Sequence, residues 1–504
     1  MDFGGRTGDE RLGAAGFLAR AGAVALALGV AIAMSAPPIS SAMPAPSSAP
    51  EHIPASAGWV GVISAILVAL GRRPSASTES GSVPGLTLTG RMRSIFRRQD
   101  RSSSTAVACV RTPDAYDQPA AAVQTVTGIG PVRDIALSPD GRYAYVASHH
   151  DRAGADACTV KVVDTAVNAV IKKIDLPAVS PTSLAASPDS SRLYVADDNA
   201  AAIRVVDIAA GSPTRNRVVD SLRLEGSLPV GYGTPSSIAL SPNGSRLYAQ
   251  MTDPAVLIVD PNTRVLVGTV AGGDSIAMFA AGERIYVCAD DRLGHTNVTA
   301  GVVILDADTG KELGSFGLND APAFISQPIL AGGSGQLYLD IDDLDGRLEV
   351  VDTSSLKVVA RIKIDASVDR ELRSIPAAAV LSPDGRCLYV ANQGVRSSSE
   401  EATEVGWVSV VDTRLNEVIH DIALPETDER QGANPQFIAI SPAGDRLVVV
   451  NEYGIASVID VADMSVVNTV TLGQPTDQPR VVIVNPARNA VYVGGDAGLT
   501  VIPL

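Results

Sequence analysis

Aromatic side chains make up only 4% of the 504 residues, and tryptophan occurs twice, at Trp59 and Trp407. Four cysteines in a chain of this length do not make a disulfide scaffold, and Cys109, Cys158, Cys288 and Cys387 show no metal-binding spacing. Positive charge is in deficit: 40 Lys+Arg against 55 Asp+Glu give a net charge of −15. A nucleic-acid partner needs a basic footprint, so that class is excluded. No apolar run reaches the ~20 residues that span a bilayer. The five histidines form no His-Glu-x-x-His, and the chain has no Gly-x-Ser-x-Gly, phosphate loop or dinucleotide fingerprint.

Small and turn-forming residues are abundant instead, with 45 glycines and 32 prolines beside a hydrophobic fraction of 46%. That composition fits a β-rich, turn-rich protein with enough apolar chain for a large core. At the amino terminus Arg6, Arg11 and Arg20 precede an apolar run over 21–34, and small residues follow to Ser40-Ser41-Ala42. This is the order of a secretory signal peptide, expected over 1–42. The stretch Arg20-Ala21-Gly22-Ala23-Val24-Ala25-Leu26 resembles the leaders of exported actinobacterial envelope proteins. Residues 43–121 are rich in Pro, Ser, Ala and Gly and carry a basic cluster at Arg91, Arg93, Arg97, Arg98 and Arg101. They read as a disordered linker, and any membrane contact falls to the leader or this cluster.

From 122 onward one phrase recurs. Small apolar residues lead into Ser138-Pro139-Asp140-Gly141 and then Tyr145-Val146-Ala147; related copies are Ser187-Pro188-Asp189, Ser241-Pro242-Asn243-Gly244, Ser382-Pro383-Asp384-Gly385, Ser441-Pro442-Ala443-Gly444 and Asn485-Pro486. Two worn copies fall between, at Gly282 with Tyr286 and at Gly335 with Tyr338. Pro fixes φ and Gly accepts positive φ, so each phrase predicts a tight turn joining two buried strands. A second phrase follows, as in Val162-Val163-Asp164, Val205-Val206-Asp207 and Val410-Val411-Asp412, and then a further apolar stretch. Its Asp reads as a turn cap.

Four strands per unit, repeated around a ring, predict an all-β β-propeller over 122–504. Eight four-stranded blades are expected, with seven as the alternative should one worn copy be an insertion. The last unit stops after three strands, and the orphan stretch 122–126 reads as the missing fourth, closing the ring. Ser-Pro-Asp-Gly followed by Tyr389-Val390-Ala391-Asn392 and Val410-Val411-Asp412-Thr413 resembles the YVTN-family β-propeller repeat. That resemblance implies an extracellular or periplasmic protein. Some such proteins bind ligands or polymers, and similar propellers include lactonases.

The candidate site is the face that gathers the loops between second and third strands with the blade-to-blade connections. It would assemble His149, His150, Asp197, Asp198, Asn392, Asn434 and Asn451 as ligand-binding residues, with Asp290, Asp291, Asp340 and Asp342 as candidate metal ligands. Ca²⁺ takes six to eight oxygens and suits such a ring, although no resident cofactor is expected and Asp and Asn are also ordinary turn residues. Two readings follow. One is a monomeric, exported or envelope-attached scaffold without catalytic machinery, which binds a protein, a glycan or another envelope component. The other is a metal-assisted hydrolase of the lactonase type at the channel mouth. A disulfide between Cys109 and Cys158 is a further expectation, with Cys288 a buried thiol. An ion on the ring would raise the melting temperature with added Ca²⁺ and lower it again with EDTA, whereas an unchanged melt leaves the acids as turn chemistry.

Overall fold

The repeated phrase folds as one hydrogen-bonded device. Ser138 Oγ donates to Asp140 Oδ1 at 2.6 Å and accepts the Tyr143 N–H at 2.9 Å, while Gly141 takes φ of +66°. Ser187–Asp189, Ser241–Asn243 and Ser382–Asp384 repeat the clamp at 2.6, 3.0 and 2.7 Å. Where Ala443 replaces the Asp, Ser441 reaches Asp445 at 2.6 Å instead. The serine thus holds both ends of the turn, which explains its place before the proline.

The computed structural model describes residues 122–504 apart from 150–157, 177–178, 225–232, 254, 272–274, 291–299, 318–323, 332–334, 343–345, 365–372, 397–402, 426–433 and 475–476. The expected leader and linker lie outside them. The strands form eight four-stranded antiparallel sheets. Blades I to VII take consecutive strands over 132–175, 181–223, 235–271, 275–317, 324–363, 373–423 and 435–471. Blade VIII takes three strands over 479–503, and its fourth is the short strand Gln124–Val126. That strand pairs Gln124 with Val501, Thr125 with Thr500 and Val126 with Leu499. Eight blades therefore stand, and seven does not.

Each blade packs its faces against its neighbours through aliphatic clusters. Ala136, Tyr145, Val160 and Val162 of blade I meet Leu184, Leu193 and Val206 of blade II, and Ile483, Tyr492 and Val501 of blade VIII meet Ile135 and Val146 of blade I. The recurrent tyrosines act as bolts between blades. Tyr248 donates to the Ala307 carbonyl of blade IV at 2.8 Å, Tyr338 to Asn416 Oδ1 of blade VI at 2.9 Å, and Tyr492 to Asn168 Oδ1 of blade I at 3.0 Å. Burial pushes the phenols up, to about 12 for Tyr145 and Tyr389.

The outer strands manage their open edges with a repeated bulge. Ile171, Val219, Val267, Leu313, Val359 and Val467 each sit at a register shift in the fourth strand and are exposed. A bulge interrupts the row of free N–H and C=O groups that would otherwise template pairing with another chain.

The repeated Asp after the Val-Val pair caps the next turn, as expected. Asp412 Oδ1 accepts the N–H groups of Arg414 and Leu415 at 2.8 and 3.2 Å, and Asp352 Oδ1 accepts those of Ser354 and Ser355 at 3.2 and 2.7 Å. The Ser354 hydroxyl, with Ser355 beside it, holds the Asp352 carboxyl down to about 2; Asp140, Asp189, Asp207 and Asp306 are lowered in the same way, and Asp260 chiefly by the Thr263 N–H. Asp134 behaves oppositely. It lies on the inner strand of blade I and accepts the Leu184 N–H of blade II at 2.7 Å and the Ile135 N–H at 2.8 Å. Burial raises it from 3.8 to about 6 despite those bonds.

The two kinds of carboxyl predict a stability maximum near pH 5. The contribution of the raised Asp134 is fully present below pH 3.8 and is lost as pH rises through about 6. The depressed turn carboxylates contribute above their ordinary value and lose that contribution as pH falls below it. Urea unfolding at pH 7.5, 5 and 3 should show wild-type stability rising by about 1–2 kcal/mol to pH 5 and then falling. Asp134→Asn should flatten the first limb and keep the second; an unchanged first limb would contradict the assignment.

Candidate functional site

The two faces of the ring are built differently. On one, the hairpins within each blade meet: Thr165 N donates to the Arg142 carbonyl, Ile208 N to Ser191, Thr413 N to Arg386 and Val461 N to Asp445, each at 3.0 Å. The turn between third and fourth strands there keeps nearly one length, as in Asp164 to Ala169, Asp260 to Val265, Asp352 to Lys357, Asp412 to Glu417 and Asp460 to Ser465, and lengthens in blade II, from Asp207 to Arg217. On the other face the second-to-third-strand loops meet the connections between blades. Asp198 N donates to Ser180 O at 3.0 Å, Thr252 N to Thr234 O at 2.8 Å, Glu452 N to Asn434 O at 2.9 Å and Asp496 N to Gln478 O at 3.1 Å. This confirms which segments share a face. Loop length varies widely on this side, from Gly495 to Gly498 in blade VIII to Asp290 to Ala300 in blade IV.

The predicted site residues divide by role. Asp197 is fully buried and belongs to the frame. Its Oδ1 accepts the Ser180 and Asn199 N–H groups at 3.1 Å each, and its Oδ2 takes Arg204 Nη2 at 2.7 Å and Nε at 2.9 Å. Asn451, also buried, caps its own loop through the Tyr453 N–H at 3.1 Å and the Ile455 N–H at 2.8 Å. Asn392 is fully buried as well, donating to the Val390 carbonyl and to Ser409 Oγ at 3.0 Å each, while its Oδ1 has no hydrogen-bond partner. Ser409 in turn receives Trp407 Nε1 at 3.1 Å and donates to Asp421 at 2.6 Å. Asp197, Asn392 and Asn451 stand at one register position, each opposite a proline of the inner strand: Pro181, Pro376 and Pro435. Asp197 and Asn451 end the second strand and hold its loop, while Asn392 lies inside its longer strand and is bonded within the sheet, so none of the three is presented to a ligand.

The residues that remain at the surface are different. Asp198 is exposed and receives the Thr234 hydroxyl. Asn434 donates to Glu452 Oε2 at 2.9 Å, and Gln478 to Glu452 Oε1 at 3.3 Å, linking blades VII and VIII. His149 ends the second strand of blade I, pairing with Cys158; its side chain, with His150, lies outside the described residues. So do the carboxylates of Asp290, Asp291, Asp340 and Asp342. Among the described residues no group of three His, Cys, Asp or Glu side chains could hold a metal ion.

The sequence reading missed the inner-strand bulges. Seven inner strands shift register just after their first residues. The extra residue, such as Arg133, Thr182, Ser236, Ala377, Gln436 or Arg480, is partly or fully exposed, and Thr182, Ser236, Ala377 and Gln436 lie between buried neighbours. These residues border the central opening and bring arginines to it, Arg480 paired with Asp496 at 2.9 Å. The described mouth is therefore mixed in charge. The signal was available: the extra residue follows a proline in five copies.

Cys288 is a free buried thiol, as expected, and burial raises its pKa. Cys387 is disulfide-bonded. The pairing of Cys109 with Cys158 lies outside the described side chains.

No family model and no curated protein matches the sequence. Among solved structures the chain is similar to hydrazine synthase of Kuenenia stuttgartiensis at 18% identity and a TM-score of 0.45, over 77% of this chain and 99% of that one. Likeness at that level leaves the function to the chain's own geometry.

Asp197→Ala should cost about 3 kcal/mol in urea unfolding, since it strands the Arg204 guanidinium and two N–H groups. Asp198→Ala, one residue further along, should change stability by less than about 0.5 kcal/mol. Equal losses would remove the distinction between frame and surface.

Proposed function

We propose that this protein is an exported or envelope-attached scaffold that binds a partner through its variable-loop face. The carrying observation is the asymmetry of the ring: one face repeats short turns of nearly one length except in blade II, while the other varies its loops on the same rigid blades. Binding surfaces are drawn from variable loops held by a fixed frame. The repeat phrase, similar to that of YVTN-family propellers, and the leader-like amino terminus support an extracytoplasmic setting. A protein, glycan or other envelope component is the partner class.

The hydrolase reading has less support. Of the described acids on that face, Asp197 is fully consumed by Arg204 and backbone, and Glu452 bridges Asn434 and Gln478. Neither is left free to hold an ion or take a proton from water.

Two measurements test the proposal. Residues 1–42 fused to a reporter that matures only outside the cytoplasm should yield signal; a silent reporter would overturn export. On a glycan and peptide array, Asp198→Arg with Asp477→Arg should weaken any wild-type binding at least about tenfold, whereas Glu283→Arg with Asp463→Arg on the other face should leave it intact. Equal loss from both pairs, or lactone turnover abolished by a chelator, would overturn the scaffold reading.

A further inference from the structure

We infer that Arg142, Tyr143 and Arg215 form an oxyanion site between blades I and II, and that the ligand group it takes is a phosphate. The site lies on the uniform-turn face, where the hairpins within each blade meet. It is independent of the partner proposed for the variable-loop face.

Two departures from the repeat come together there. Blades II and VII set an arginine opposite the capping aspartate, in the pairs Arg192–Asp207 and Arg446–Asp460. Those arginines spend their charge on that aspartate, at 3.2 and 2.7 Å, and Arg246 does the same with Asp260 in blade III at 3.5 Å. Blade I sets Tyr143 in this slot, opposite Asp164. The second departure is the long turn of blade II, Asp207 to Arg217, which carries Arg215. Arg215 Cζ lies 5.5 Å from the centre of the Tyr143 ring, and Arg142 Cζ lies 5.3 Å from it. One ring of blade I therefore gathers two guanidinium groups, one from each blade, by cation–π attraction.

The cations are held in place before any ligand arrives. Asp207 Oδ2 accepts the Ser212 and Thr214 hydroxyls at 2.5 Å each, and its carbonyl accepts the Asn216 N–H at 2.6 Å. The Arg215 N–H donates to the Ser212 carbonyl at 3.2 Å, so the long turn is folded around Asp207. On the blade I side the Arg142 carbonyl accepts the Thr165 N–H at 3.0 Å, and the Arg142 N–H donates to Asp140 Oδ1 at 3.0 Å. Asn485 Nδ2 ties down the preceding Gly141 carbonyl at 2.7 Å. Binding to groups so positioned costs little ordering entropy.

The charge is unspent. Among the described residues neither guanidinium makes an ion pair or hydrogen bond, and Arg215 Nε is buried without a partner. The acids nearby are engaged. Asp140 takes the Ser138 hydroxyl and feels Arg142 through space without bridging it, Asp164 Oδ1 accepts the Ala166 N–H at 2.9 Å, and Asp207 is bridged by Arg192. Two cations gathered on one ring repel each other, and a dianion relieves that repulsion. A phosphate carries about two negative charges at neutral pH and several oxygens that accept guanidinium N–H groups, whereas a carboxylate carries one charge.

The test is isothermal calorimetry of the full chain with inorganic phosphate at constant ionic strength, with acetate and glucose 6-phosphate in parallel. The wild type should bind phosphate at one saturable site, at least about tenfold more tightly than acetate. Affinity should fall between pH 7.5 and pH 5.5, because phosphate takes up its second proton near pH ~6. Arg142→Gln and Arg215→Gln should each weaken binding at least about tenfold. Tyr143→Phe keeps the ring and should keep the affinity, and Tyr143→Leu should lose it. Arg133→Gln, at the central opening, should change nothing, and the melting temperature of each variant checks its fold. The absence of a saturable phosphate site, equal affinity for acetate, or binding that survives both arginine substitutions overturns the assignment. Either phosphate source supports it: glucose 6-phosphate matching the free ion points to an attached phosphate group, and much weaker binding of the ester points to the free ion.

Discussion

Everything in this fold depends on three residue pairs. A ring of blades is free of an open end only when the last blade is whole, and blade VIII is completed by Gln124–Val126 alone. The strand is short, but its surroundings are dense. Val126 is buried with Val132, Ile135, Leu499 and Val501, and Asn168 Nδ2 donates to Gln124 Oε1 at 2.8 Å. Further bonds join the first and last blades: Asn485 Nδ2 donates to the Gly141 carbonyl at 2.7 Å, and Arg488 Nε to Thr165 Oγ1 at 3.1 Å. Contacts so distant in sequence form late and carry a large entropy cost, so the junction holds by packing and polar bonds together.

Closure makes the division of labour between the faces possible. The uniform-turn face is spent on holding blades: serine clamps, aspartate caps and tyrosine bolts recur there with little variation. The variable-loop face inherits rigid strand ends, fixed by Asp197 and Asn451. Loops of any length can leave those ends without disturbing the sheets, which is the arrangement a recognition surface needs.

Much of the fold was legible because the repeat carries its own physics. Pro-Asp-Gly announces a turn, Val-Val-Asp a strand with its cap, and Ala122 to Val126 an unpartnered strand. The site was less legible. Asp197, Asn392 and Asn451 look like ligand residues because each follows the apolar second-strand phrase toward the loops. The roles of Asp197 and Asn451 as loop caps, and of Asn392 as a bonded group inside the sheet, show only in three dimensions, where each faces an inner-strand proline. The bulge residues were missed for a related reason. Alternation predicts which side a residue faces, and one extra residue reverses it for Arg133 and Arg480.

The most direct test is urea unfolding of the protein lacking Gln124–Val126. The account predicts a loss of about 3 kcal/mol or more, from Val126 burial and the exposed edge of Gly498–Pro503, together with a broadened transition as blade VIII frays first. An unchanged midpoint with an equally sharp transition would show that the ring does not depend on this strand and would contradict the account.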